Sequence, residues 1–474
     1  MAPVLKPDLC VIGAGSGGLT TAAAAAAFGV KVVLIERGKM GGDCLNYGCV
    51  PSKALIAAGK HVAAIREAKR FGISAGEPEV DFAAVKDHVR GVIEAIAPND
   101  SVERFEGLGV TVLQSNAEFV DEKTVSAGGR IVEARRYVVA AGSSPFVPPI
   151  DGLAETPFFT NETIFDLRER PDHLVVIGGG PIGLELAQAH RRLGSKVTVL
   201  EAGTFLGRDD PELAAVVLDR LRDEGVSLRK GAKVVAVGKA DAGPSITIET
   251  GEGREEITAS HLLVAVGRAP NVEGLGLKAA GIDYDAKGIK VRPDLRTTNR
   301  RVYAVGDIAG GPQFTHVANY QAGLVLRPIL FRLPVRELRD HLPHVTFTDP
   351  ELGQVGATEA EAKASGTLTD VLRWPYAEND RAQAERRTEG LVKLVLGKGG
   401  RIIGAGVVGQ AAGEMTNMLS LAVGKKMAVS DLRDFISPYP TLSEIGKRAA
   451  TVYYRPYTEK AFVRRLVRLL ARFG

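Results

Sequence analysis

Two stretches of the chain repeat one device. Asp8 to Gly29 reads DLCVIGAGSGGLTTAAAAAAFG, and His173 to Glu201 reads HLVVIGGGPIGLELAQAHRRLGSKVTVLE. In each, a short apolar run suited to a buried parallel strand leads into glycines at GxGxxG spacing. These are Gly13, Gly15 and Gly18 in the first copy and Gly178, Gly180 and Gly183 in the second. A helix-forming run follows, alanine-rich in the first copy. A second apolar run then ends on an acid, Glu36 or Glu201, 23 residues after the first glycine in both copies. The glycines permit a tight turn, the helix N-terminus suits a pyrophosphate, and the acid suits a ribose hydroxyl. The copies lie 165 residues apart, so they mark two nucleotide-binding domains and not a solenoid repeat. Glu201 should accept a 2′-hydroxyl and repel a 2′-phosphate, and Ala202 brings no cation. NADH is therefore expected over NADPH, with Arg208 close enough to keep NADPH as the lesser alternative.

Between the copies, Phe82 to Glu106 has helical periodicity interrupted at Pro98, and Val110 to Val125 reads as strands. Tyr137 to Pro149, YVVAAGSSPFVPP, is a strand running into a Gly/Ser/Pro loop, which suggests a boundary near Ile150. Leu262 to Pro270, LLVAVGRAP, echoes it. A chain of 474 residues allows about three domains. Its net charge of +4, from 60 basic and 56 acidic residues, implies no field for nucleic acid. Three cysteines make no secreted disulfide framework. Neither a signal core nor an apolar run of ~18 residues occurs, so a cytoplasmic protein without a membrane span is expected.

Two of those cysteines stand in Gly41 to Lys53, GGDCLNYGCVPSK, with the helix-like ALIAAG close behind. A thiol near a helix N-terminus has its thiolate favoured. Neighbouring thiols can exchange a disulfide for two electrons. The spacing also allows two reduced, packed cysteines. A four-cysteine zinc site is impossible, because the only other cysteine is Cys10, inside the first strand.

Two dinucleotide folds joined to GGDCLNYGCVPSK resemble the pyridine nucleotide–disulfide oxidoreductases, the class of glutathione reductase, dihydrolipoamide dehydrogenase and mercuric reductase. The likeness extends through VYAVGDIAG (Val302 to Gly310), FTDPELGQVG (Phe347 to Gly356) and PTLSE (Pro440 to Glu444), to about Ala450. It implies an α/β fold with two Rossmann-like domains and a C-terminal α+β interface domain. The expected spans are an FAD domain at 1–150, a nicotinamide domain at 151–272, the FAD domain continued at 273–341, the interface domain at 342–450 and a tail at 451–474. FAD is implied at Gly13, Gly15, Gly18, Glu36, Gly42, Lys53, Ala117, Gly142, Asp307 and Thr315. The nicotinamide cofactor is implied at Gly178, Gly180, Gly183, Glu201 and Gly267. Cys49 would face the flavin as the charge-transfer thiolate, and Cys44 would be the outer thiol. Lys53 would approach the flavin and pair with Glu185. The family's aromatic nicotinamide gate is replaced by Pro181, and His316 would place backbone against the flavin. The family is a homodimer, so Tyr439 and Glu444 would act across it on Cys44.

One departure is chemical. The disulfide-reducing members carry His-Pro with a glutamate five residues after the histidine. Here SPYPTLSE puts Tyr439 at the histidine position and Glu444 five residues on. Imidazole titrates near ~6.5 and shuttles protons at neutral pH, whereas a phenol near ~10 is a poor base. Mercuric reductase resembles this chain in its tyrosine but uses a further cysteine pair near its C-terminus. No cysteine follows Cys49 here. The expected activity is transfer of electrons from NADH through FAD and Cys44–Cys49 to a disulfide, a soft metal ion or a quinone. Dihydrolipoamide dehydrogenase is the alternative, and a non-catalytic flavin or nicotinamide sensor is the reading from another class. Tyr439 as mere interface packing also stays open.

Thr451 to Gly474 lies beyond the resemblance. From Ala461, helical spacing sets Arg464, Arg465, Arg468 and Arg472 against Phe462, Val463, Leu466, Val467, Leu469, Leu470 and Phe473. Such a helix either lies on an anionic membrane or packs on the protein itself.

Overall fold

The first apolar run forms the strand Leu9–Ile12, and all four of its side chains are buried. This strand is central in a five-stranded parallel sheet. The order is Val302–Ala304, Arg136–Val139, Leu9–Ile12, Val32–Glu36 and Thr111–Gln114. Burial on both faces explains an unbroken apolar run where a one-sided sheet would alternate. The structure, a computed structural model, describes residues 3–473. The chain divides into two compact units.

One unit comprises Met1–Gly179, Ala189–Ala202 and Gly231–Glu337. Its alanine-rich helix Ser16–Ala27 lies against the helix Thr315–Leu330. Small side chains permit that approach: a Cβ on Gly17 would stand 3.3 Å from Val305 and 3.4 Å from Ala318. The second strand of the fingerprint is Val32–Glu36, reached after Gly29 turns the chain out of the helix in the left-handed region at φ +73°. Pro98 falls in a 3-10 turn between the helices Phe82–Ile96 and Val102–Gly107. The second fingerprint contributes the parallel strands Lys196–Glu201 and His173–Ile177, and His261–Val264 pairs in parallel with the latter. The two echoing glycine turns pair with each other, Ser143–Pro145 antiparallel to Arg268–Pro270. Cys10 is fully buried in the first strand, and burial pushes its thiol well above the ordinary range.

The other unit comprises Gly180–Gln188, Gly203–Lys230 and Leu338–Gly474. It is built on a five-stranded antiparallel sheet ordered His344–Thr346, Glu351–Gly356, Arg401–Gly409, Leu391–Gly397 and Asp370–Pro375. The helix Ala412–Gly424 packs on it so closely that a Cβ on Gly353 would lie 1.9 Å from the Thr416 hydroxyl. Lys393, with only 4% of its side chain exposed, is compensated by Asp210, Glu212 and Glu359 within 2.7–2.9 Å. A buried ammonium persists only with such partners. The chain ends in the helices Glu444–Val452, Arg455–Glu459 and Ala461–Leu470.

Candidate active site

The cysteine segment is pressed against the first glycine loop. The Gly41 amide donates to the Ala14 carbonyl at 3.0 Å. Gly42 has φ +59°, and a Cβ there would stand 2.7 Å from the Cα of Gly15. Only glycine lets the segment come so near. Gly42–Asn46 is a short helical turn that carries Cys44. Asn46 locks it by donating to the carbonyls of Met40 at 3.0 Å and Gly42 at 2.9 Å. Gly48 then caps a 19-residue helix, Cys49–Glu67, whose first residue is Cys49. The helix dipole therefore bears on that sulfur.

Both cysteines are free thiols. They share a hydrogen bond, and the Cys49 Sγ also lies 3.3 Å from the Thr315 Oγ1. The charge is divided unequally. The hydrogen bond from Cys44 is the main cause that brings Cys49 down to about 6. Burial opposes it, and the Thr315 hydroxyl and the Lys53 ammonium add to it. The same hydrogen bond, with burial, holds Cys44 above the ordinary thiol range. At neutral pH the pair is one thiolate at Cys49 and one thiol at Cys44.

Asp43 works against both sulfurs, raising each. A residue the sequence did not single out answers it. Arg268, from the LLVAVGRAP turn, sets Nη2 3.0 Å from the Asp43 Oδ1. It also donates from Nε to the Ser143 hydroxyl at 2.7 Å, from Nη2 to the Ser143 carbonyl at 2.7 Å, and from Nη1 to the Asn161 Oδ1 at 3.3 Å. The Asn161 amide donates to the Asp43 Oδ1 and to the Tyr47 carbonyl, both at 3.1 Å. Ser143 in turn donates to Asp307 at 2.5 Å, opposing the burial that raises that carboxyl. A charged residue inside a glycine turn was the only sequence signal, and its partner lies 225 residues away. Replacing Arg268 by Gln should leave Asp43 uncompensated and raise the Cys49 alkylation midpoint by about one pH unit. Adding Asp43→Asn should bring it back. Iodoacetamide rates against pH, read by mass spectrometry, check this; an unmoved midpoint in Arg268→Gln would mean the sulfur does not feel Asp43.

The two nucleotide loops separate glycines the backbone demands from glycines it does not. Gly13 has φ +104°, and a Cβ there would stand 2.4 Å from the Ala140 carbonyl oxygen. Gly178 repeats this at φ +115° and 2.3 Å from the Ala265 oxygen. Gly18 would carry a Cβ 1.8 Å from the Gly13 oxygen. Gly15 meets nothing closer than 4.0 Å, and Gly180 meets nothing within 4 Å. Packing does not explain those two, whereas a ligand laid against the loop does. Both acids brace their loops. Glu36 accepts from the Ala14 amide at 2.6 Å and the Gly38 amide at 2.7 Å. Glu201 accepts from the Gly179 amide at 2.8 Å. Each cradle fits a dinucleotide.

Of the other expected residues, Thr315 begins its helix beside Cys49. Gly142, at φ +66°, accepts from the Asn271 amide at 3.0 Å. Gly267 has φ +130° with open space around it. Ala117 is buried in a small sheet opposite Ala127. Lys53 follows Cys49 by four residues on its helix, and Gly183 and Glu185 lie on the helix Pro181–Arg192. Glu185 is buried and accepts from the Phe347 amide at 2.9 Å. The ring of His316 stacks on Phe314 at 5.3 Å. Tyr439 and Glu444 do not pair with each other. The Tyr439 hydroxyl donates to Asp380 at 2.8 Å, and Glu444 forms an ion pair with Arg448 at 2.8 Å. Asp380 was not expected, because it lies on a helix 59 residues upstream.

The comparisons with known proteins agree with this geometry. The family model described as pyridine nucleotide-disulphide oxidoreductase matches residues 7–322, and that family's dimerisation domain matches residues 342–450. A mercuric reductase from Streptomyces lividans is 36% identical over 457 residues, covering 94% of this chain and 96% of that protein. A dihydrolipoyl dehydrogenase from Geobacillus stearothermophilus is 36% identical over 456 residues, with the same coverage of both. Among solved structures, LpdA from Mycobacterium tuberculosis has a TM-score of 0.86 at 28% identity, covering 94% of this chain and 99% of that one. The HOCl-induced flavoprotein disulfide reductase RclA from Escherichia coli has a TM-score of 0.83 at 28% identity, with the same coverage. The protein is thus an oxidoreductase whose family uses FAD, NAD(P)H and a redox-active cysteine pair, and its dimerisation domain supports a homodimer. No described helix is long and apolar enough to cross a membrane. The two matches together take in most of the chain, which belongs to the pyridine nucleotide–disulphide oxidoreductase family.

Proposed function

We propose that the protein transfers two electrons from NADH through FAD and the Cys44–Cys49 pair to a soft, thiol-seeking metal ion. The observation that carries this reading is Tyr439. Its hydroxyl is committed to Asp380, and that hydrogen bond raises it further above the ordinary phenol range. A phenol so held is no proton base at neutral pH. The balance of the reaction makes this matter. Reducing a disulfide consumes NADH and a proton and yields two thiols, so protons must be delivered. Reducing a divalent metal ion to the metal consumes NADH and releases NAD⁺ and one proton, so none is delivered. Thiolates are also the ligands that soft metals prefer. The names of the relatives lend support: several are mercuric reductases, and one solved form of RclA is a Cu(II) complex.

In this reading Gly13, Gly15, Gly18, Glu36, Gly42, Lys53, Ala117, Gly142, Asp307 and Thr315 hold FAD, and Gly178, Gly180, Gly183, Glu201 and Gly267 hold NADH. FAD supplies the electron relay between the nicotinamide and the sulfur pair. Cys49 keeps its thiolate beside Thr315 and Lys53, with Glu185 as the partner of Lys53. Cys44 is the outer sulfur that meets the acceptor. Tyr439 and Glu444 act across the homodimer on the partner's Cys44. The site is cytosolic, and the arginine-rich tail brings it to a membrane surface.

Steady-state NADH oxidation by the holoenzyme, with mercuric ion buffered by excess thiol, tests the proposal against lipoamide and a soluble quinone. Metal-dependent turnover should exceed lipoamide turnover by about 100-fold or more, and Tyr439→His should raise the lipoamide rate about tenfold or more. Brisk lipoamide turnover by the native protein would overturn the proposal in favour of dihydrolipoamide dehydrogenase. No NADH oxidation with any acceptor would favour a sensor. Glu201 supports NADH, since its carboxylate opposes a 2′-phosphate. Glu201→Ala should narrow the NADH-over-NADPH ratio of kcat/KM by about tenfold or more.

A further inference from the structure

Residues 451–474 lie beyond the dimerisation match, which ends at residue 450. Within them the helix Ala461–Leu470 is sorted by chemistry around its circumference. At 3.6 residues per turn, Arg464, Arg465 and Arg468 fall within about 100° of one another. Arg472 continues their line past the helix end. Phe462, Val463, Leu466, Val467, Leu469 and Leu470 take the opposite side. That apolar side is bare: Phe462 is 75% exposed, Val467 59%, Leu470 58% and Phe473 81%. Helix Arg455–Glu459 is its neighbour.

The charge pattern identifies what covers this face. A helix whose apolar side rests on protein generally turns a mixed-sign face to solvent. Here Lys460 to Phe473 carries five cations and no Asp or Glu. A surface of opposite charge with an apolar layer beneath it complements both sides at once, as a phospholipid bilayer with anionic headgroups does. The ten-residue helix rises about 15 Å, half the ~30 Å hydrocarbon core, so it can lie on a bilayer but cannot span one.

We propose that Ala461–Phe473 is a docking element that lies flat in the interface of an anionic phospholipid membrane. Arg464, Arg465, Arg468 and Arg472 engage the headgroup phosphates, and Phe462, Leu466, Leu470 and Phe473 enter the acyl boundary. This deepens the location given under the proposed function and is independent of the acceptor, because vesicle binding is measured without turnover.

Co-sedimentation of the full-length holoenzyme with phosphatidylcholine vesicles, with and without about 30% phosphatidylglycerol, tests it. Binding should require the anionic lipid and weaken as salt is raised. Deleting residues 461–474 should abolish it. Changing the four arginines together to Gln should cut the partition coefficient by about a hundredfold. Both variants should keep the native NADH turnover in solution. Equal sedimentation of native and truncated protein would overturn the proposal. So would a truncation that turns the dimer into monomers in size-exclusion chromatography while native protein ignores vesicles, which would assign the face to a second copy of the chain. Loss of NADH turnover with vesicle binding intact would count against the catalytic reading alone.

Discussion

If the protein reduces metal ions as proposed, serine in place of Cys49 should lower NADH-driven turnover by on the order of 10³-fold or more, while flavin stays bound. The sulfur is the only low-pKa thiol in the chain: Cys10 is buried with its thiol raised, and Cys44 is raised by its hydrogen bond to Cys49. Removing a nucleophile that acts as half of a pair costs nearly as much as removing both. Cys44→Ser should fall almost as far in turnover but differ in titration. In native reduced protein, iodoacetamide should modify Cys49 with a midpoint of about 6. In Cys44→Ser that midpoint shifts, because the hydrogen bond from Cys44 is its largest cause. The sign for stability follows. The folded thiolate titrates below an unfolded thiol at ~8.5, so its contribution is fully present above ~8.5 and is lost as pH falls through about 6. Chemical denaturation of the reduced protein at pH 5 and pH 8 reads this, and a Cys49→Ser variant should shrink the difference without removing it, because His173 and His261 are also held below the ordinary imidazole range by burial. Metal turnover that survives Cys49→Ser would show that electrons leave by another route.

Alanine at Gly13 should leave the protein unable to hold flavin and destabilised by about 3 kcal/mol or more. The added Cβ meets backbone, the Ala140 carbonyl at 2.4 Å, and φ is +104°. Neither can yield without breaking the parallel sheet that Leu9–Ile12 makes with Arg136–Val139. Gly15→Ala is the informative partner. Gly15 has φ −81°, and its nearest crowding atom is 4.0 Å away. Its thermal midpoint without added FAD should therefore stay within a few degrees of native, while FAD affinity falls about tenfold or more. Urea denaturation, the visible absorbance of purified protein and FAD titration by calorimetry separate the two effects. Native FAD affinity in Gly15→Ala would remove the ligand explanation for that glycine.

The contrast between those two glycines shows how far the chain could be read before it was folded. GxGxxG spacing, apolar strands and a terminal acid are local, so Gly13, Gly178, Glu36 and Glu201 were all legible as parts of nucleotide loops. Sequence could not say which glycine is compelled by packing and which is left open, because the crowding atom at Gly13 belongs to Ala140, 127 residues on. The placing of Cys49 at the head of its helix was likewise legible, since Gly48 and the run behind it are neighbours in the chain. The resemblance already implied a thiolate at Cys49 and a thiol at Cys44, but its causes were not legible, because the Thr315 hydroxyl lies 266 residues on and the fold must bring it beside the sulfur. Tyr439 was read as a phenol at a histidine's position, but its partner was not. Asp380 reaches it only after the antiparallel sheet has formed, and Glu444 pairs with Arg448.

By itself, then, the sequence determined what depends on residues within a turn or a strand of one another: the two nucleotide loops, the helix-borne cysteine and the sorted faces of the terminal helix. Tertiary structure alone decided what depends on groups meeting across long stretches of chain: the Arg268–Asp43 clamp, the Thr315 hydroxyl beside Cys49 and the commitment of Tyr439 to Asp380. The physical reason is that backbone conformation is dictated by near neighbours, whereas protonation responds to whichever charges and hydrogen bonds the fold brings within a few ångströms.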